Sequence, residues 1–127
     1  MSDRNDRHPR RTLSVLLAFG QLVLMLVWLI QGDPIVPAGR VSWIANLSVL
    51  WPVVFGMAGA GLLFTAAARN RQQIGHALCA GSCTVFASAA LLGALQNRPP
   101  GNLTTTVVFV LLAGTHFLVA AMYRGHR

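Results

Sequence analysis

His76, Cys79 and Cys83 stand three and four residues apart, a spacing that projects three donor side chains from one face of an α-helix. Imidazole and thiolate groups in that pattern suit zinc, copper or haem iron. His116, in the next apolar run, falls at a depth similar to that of Cys83, so four candidate metal ligands stand in the chain: His76, Cys79, Cys83 and His116. The same residues have a plainer use. Cysteine and histidine within an alanine-rich stripe serve as small or hydrogen-bonding packing residues, and the two-residue cysteine spacing of zinc and thioredoxin motifs is absent from the sequence. The packing reading is preferred, so neither a metal nor a cofactor is expected. Cysteines at i and i+4 of one helix also bridge poorly, which argues against a disulfide.

Acid–base and nucleophilic chemistry find less support. The three acidic residues, Asp3, Asp6 and Asp33, lie outside every long apolar run, whereas proton-coupled transport generally needs an ionisable group inside the membrane. Small multidrug transporters, also four-span proteins, rely on a carboxylate in their first helix. This chain has Gln21 there, which argues against membership. His116 remains as a candidate proton shuttle. The serines and threonines of the apolar runs lack the histidine–carboxylate partners of a nucleophile site, and no enzyme activity is expected.

The elements that must position these groups follow from composition. Only 10% of the 127 residues are charged and 54% are hydrophobic, far from the quarter or so of charged residues that clothe a soluble domain. Leu13 to Ile30, Ile74 to Leu95 and Thr104 to Met122 carry no Asp, Glu, Lys or Arg, and Val41 to Ala68 is a longer run of the same kind. Each is long enough to cross a hydrocarbon core of roughly 30 Å as a helix. The expected fold is all-α: an integral membrane four-helix bundle, up-down-up-down, with both termini cytoplasmic. Helices are expected over about 12–31, 42–68, 73–96 and 103–123, forming a single transmembrane domain over 12–124. Residues 1–11, with four Arg, two Asp and Pro9, read as a disordered cytoplasmic basic tail.

The net charge of +7 follows topology better than nucleic acid. Arg4, Arg7, Arg10, Arg11, Arg69, Arg71, Arg124 and Arg127 fall on the inner side, against Arg40 and Arg98 outside. The arginines form no basic stripe with interleaved aromatics, so no nucleic-acid partner is expected. The apolar run after Arg10 and Arg11 is too long for a signal peptide, and Val36-Pro37-Ala38 lies well past its end, so no cleavage is expected. Every basic side chain other than histidine is Arg, a bias attributed to GC-rich coding and hence to a bacterial or phage origin. The sequons at Asn46 and Asn102 then read as chance matches.

Trp28, Trp43 and Trp51 fall at or near the outer face and Tyr123 at the inner one, as amphipathic rings prefer. Pro52 either kinks the second helix or occupies its first turn. The short inner connection Arg69-Asn70-Arg71-Gln72-Gln73 makes helices two and three antiparallel neighbours, and Gln96 to Asn102 reads as an outer turn. No repeat of fixed period is visible.

Helices in lipid associate through small residues and occasional hydrogen bonds, so small-residue stripes mark the interior. His76, Cys79, Ala80, Cys83, Ala87, Ala90 and Ala94 share one arc, opposite Ile74, Leu78, Val85 and Leu92. Pro52, Gly56, Gly59, Ala60, Leu63 and Ala67 form the corresponding stripe of the second helix, and helices two and three are expected to make the tight centre. Ser14, Ala18, Gln21 and Met25 share a stripe of the first helix, and Thr105, Phe109, His116 and Ala120 one of the fourth. Gln21 and His116 both sit near mid-depth. They either meet or are satisfied separately by neighbouring groups.

In its size, its four charge-poor runs and its arginine-rich ends, the chain resembles small four-span membrane proteins of high-GC bacteria and their phages, including holin-like lysis proteins. The resemblance is architectural and covers the whole chain. It implies self-association and a water-tolerant face, for which His76, Cys79, Cys83, Thr84 and Ser88 are the candidates. The leading expectation is a non-enzymatic accessory or structural subunit of the cell inner membrane, in contact with lipid and either self-associating or bound to a larger membrane protein. The alternatives are a holin-like pore or small-solute transporter, and a haem- or metal-binding membrane protein.

Overall fold

A computed structural model describes residues 7–31, 50–68, 71–96 and 103–124. All four segments are helical: α1 (Arg7–Gln31), α2 (Leu50–Ala67), α3 (Gln72–Gln96) and α4 (Thr104–Arg124). Each is long and apolar enough to cross a membrane. The outer loops, Trp43 and residues 42–49 of the expected second helix lie outside the described residues.

One boundary differs from that expected. Helix α1 begins at Arg7, taking in part of the supposed tail, because Pro9 sits in the first turn, where a missing N–H interrupts no helical hydrogen bond. The described part of α2 runs from Leu50 to Ala67 and includes Pro52. At the start of α3, Arg71 adopts a left-handed φ of 52° while its carbonyl accepts the Ile74 N–H at 2.8 Å.

Sequence neighbours pack as antiparallel pairs. On α2, Gly59 faces Ala18, Gln21 and Leu22 of α1, and a Cβ added there would lie 3.2 Å from the Ala18 carbonyl. Gly75 of α3 faces Leu62 and Thr65 of α2, its hypothetical Cβ only 2.9 Å from the Leu62 Cα. Glycine at these two positions is what lets the backbones approach. Helices α2 and α3 each pack against two neighbours, though not most extensively against one another over the described residues. The most extensive backbone packing lies between α3 and α4 and between α1 and α2, with α2 against α3 third. Ala60 also departs from expectation: it is exposed, and Gly59 beside it makes the close contact. Gly56 is half-buried against Met25.

Backbones of α1 and α4 scarcely approach one another. Polar side chains bridge that edge instead.

The bundle is inside-out relative to a soluble protein. Leu118 is 70% exposed and Phe64 74%, whereas His76 is 0% exposed, His116 1% and Gln21 2%. Ile74, Leu78, Val85 and Leu92 face outward, and Cys79, Ala80, Cys83, Ala87 and Ala94 are buried, as the α3 pattern predicts. At the end of the bundle away from Tyr123, Trp28, Trp51, Phe55, Phe86 and Phe109 form an aromatic core, with Phe86 4.8 Å from Trp51 and 4.4 Å from Phe109 between ring centroids. Trp28 and Trp51 therefore point inward, as core rather than as interfacial anchors.

Candidate functional site

Three helices each contribute two polar side chains seven residues apart: Ser14 and Gln21 on α1, His76 and Cys83 on α3, His116 and Tyr123 on α4. Seven residues are two turns, so each pair lines one face and the six fall into two layers about 10 Å apart. Helices α1 and α3 run parallel and α4 antiparallel, which is why the first members of two pairs meet the second member of the third.

In the layer nearer the Arg10 end, Ser14 Oγ lies 2.9 Å from His76 Nε2, 2.9 Å from Tyr123 OH and 3.1 Å from the Arg10 carbonyl. The Tyr123 ring stacks on His76 at 6.0 Å and 22°. In the deeper layer, Gln21 Nε2 lies 3.2 Å from Cys83 Sγ and 3.3 Å from His116 Nε2. One contact joins the layers: His76 Nδ1 to His116 Nδ1, 3.0 Å.

Counting protons fixes the roles when both imidazoles are neutral. A carbonyl only accepts, so Ser14 donates to Arg10 and accepts from His76 Nε2–H and Tyr123 O–H. His76 Nδ1 is then bare and accepts from His116 Nδ1–H, leaving His116 Nε2 to accept from the Gln21 amide. The second Gln21 N–H points at Cys83. Each contact receives one proton, and Gln21 Oε1 is left buried without a partner.

Several sequence candidates come together and one does not. His76 and His116 touch, Cys83 joins them through Gln21, and Gln21 meets His116 directly rather than being satisfied apart from it. Cys79 turns away, its Sγ 3.4 Å from the Ala58 carbonyl on α2. Among the described residues no group of three or more His, Cys, Asp or Glu is disposed to hold a metal ion. Both cysteines are free thiols. Ala80 and Ala87 pack in the interior as expected.

Ser14 and Tyr123 are the members that sequence reading gives no partner. Their signal is the shared seven-residue spacing, visible only when the three helices are compared in register. The Ser14–His76–His116 file has the outline of a nucleophile triad. Ser14 does not present a nucleophile, however, since both lone pairs and its proton are engaged and it is fully buried.

Compared with family models, curated proteins and solved structures, the chain matches none.

Proposed function

We propose that this chain is a small non-enzymatic integral membrane protein of the cell inner membrane, an accessory or structural subunit that docks through an outward helix face onto a larger membrane partner. The supporting observation is the exposed seam of α3. Ala77, Gly81, Thr84 and Ser88 recur at four- and three-residue steps and are all exposed. The Thr84 and Ser88 hydroxyls are turned onto carbonyls of their own helix, at 2.8 and 2.9 Å, and a Cβ at Gly81 would meet nothing within 4 Å. Lipid gains nothing from such a seam, whereas another helix packs closely on it. Arginines at the ends of α1, α3 and α4 support an orientation with both ends inside.

The test is co-purification from mildly solubilised membranes. A partner, or a second copy, is expected to elute with the wild type and to be lost in Gly81→Leu at unchanged yield, with Leu118→Ala as the neutral control. Elution of the wild type alone would overturn the docking reading. A reporter fused after Arg127 should report the inner side. A second reading, movement of a small solute, is favoured by the buried polar file; dye leakage on induced expression would mark its holin-like form.

A further inference from the structure

We propose that the six side chains form an intramembrane proton relay, entered at Tyr123 and ending on the His116 imidazole. Four observations carry this. The file is unbroken, each step from Tyr123 through Ser14, His76 and His116 to Gln21 lying between 2.9 and 3.3 Å. Tyr123, half-buried beside exposed Arg124, is its outlet to the surface, while Ser14, His76, His116, Gln21 and Cys83 are buried. The opposite end is closed, because Cys83 packs into the aromatic core around Phe86. Finally, the unpartnered Gln21 Oε1 gives the file a second proton order on the same heavy atoms.

In that second order the Gln21 amide is turned over. Tyr123 donates to Ser14, Ser14 to His76 Nε2, His76 Nδ1–H to His116 Nδ1, and His116 Nε2–H and the Cys83 thiol to Gln21 Oε1. A hydronium ion at the Tyr123 oxygen then drives a balanced transfer. It gives a proton to Tyr123, Tyr123 gives its own to Ser14, Ser14 to His76 Nε2, and His76 Nδ1 to His116 Nδ1. Four bonds to hydrogen break, the first in hydronium, and four form. Water is left outside and one positive charge rests on His116, about two helical turns deeper. His76 is now protonated at Nε2 and His116 at both nitrogens, and transfer back along the same four bonds returns the proton to water and restores the starting order.

The groups facing His116 leave it as the natural terminus. Helix α2 brings no titratable side chain, α1 brings Gln21 and Ser14, and α3 brings His76 and Cys83, with Cys79 turned to Ala58. The charged residues near the entrance are Arg10, Arg11, Arg71 and Arg124. An ionisable group placed this deep in a span generally marks a proton or ion route.

The experiment uses the full chain in lipid vesicles, with His8→Gln and His126→Gln so that the two buried histidines alone report. Time-resolved infrared spectra follow the imidazolium band after a jump from neutral to strongly acidic pH. The band is expected to grow rapidly, and Tyr123→Phe, which keeps the ring on His76, should slow it by about a hundredfold. Ser14→Ala should do the same, while Thr115→Ala, which removes an exposed hydroxyl bonded only to its own helix, should leave the rate unchanged. Equal rates in wild type and Tyr123→Phe, or no imidazolium in the wild type, would overturn the relay. Steady proton flux across wild-type vesicles would overturn the closed end. None of these readouts depends on a docking partner.

Discussion

His76 and His116 meet nitrogen to nitrogen, Nδ1 to Nδ1 at 3.0 Å, from two different helices, with no carboxylate among the described residues. One proton lies between two bases, so the neutral rings must be opposite tautomers.

That requirement is directly measurable. Nitrogen-15 NMR of histidine-labelled protein in bilayers should show one buried imidazole protonated at Nε2 and the other at Nδ1, assigned to His76 and His116 by Gln substitution. Two rings of the same tautomer at neutral charge would contradict the hydrogen-bond assignment.

Glycine substitutions should divide by position. Gly75→Ala sets a Cβ against the Leu62 backbone, and overpacking of that kind costs about 1–3 kcal/mol. Gly59→Ala should behave similarly against Ala18. Gly81→Ala meets open space and should stabilise the folded chain by about 0.5–1 kcal/mol through helix propensity. Reversible unfolding in mixed micelles gives the sign of each.

Phe86 touches Trp28, Trp51, Phe55 and Phe109. Phe86→Ala should cost about 2–3 kcal/mol, at or below the lower end for such truncations because an unfolded helix in lipid recovers part of the transfer term. Emission from Trp28 and Trp51 should move to longer wavelength as the core loosens. An unchanged spectrum and stability would show that this core does not hold the closed end.

Arg71 bears a left-handed φ of 52° without the freedom of glycine. Arg71→Gly keeps the carbonyl that accepts from Ile74 and should raise stability by about 1 kcal/mol. Lower stability in the same unfolding assay would mean that the arginine side chain contributes more than its backbone conformation costs.

Much of this arrangement was legible in the sequence because charge-free runs and small-residue arcs are local properties. The α3 arc of His76, Cys79, Cys83 and Ala87 follows from helical spacing, whereas similar depth leaves a Gln21–His116 contact as one of two alternatives that only the helix order decides. What spacing does not determine is the rotation of each helix about its axis. Ala60 and Gly59 both look like interior positions, and only the approach of Ala18 decides for Gly59. Nor does it reveal partners across the bundle: Ser14 and Tyr123 are 109 residues apart, and each is unremarkable in its own helix. Trp28 and Trp51 turn inward rather than outward, since an indole suits an aromatic core as well as a headgroup region.

The sparse backbone contact between α1 and α4 has a consequence in time. Gln21 is made early in synthesis, yet the imidazole it binds comes 95 residues later. At about 5–20 residues per second, its amide waits roughly 5–20 s for that partner. Closure of this edge is therefore the last event of assembly, and a nascent chain halted before α4 should remain an open three-helix intermediate, distinguishable by faster labelling of Cys83.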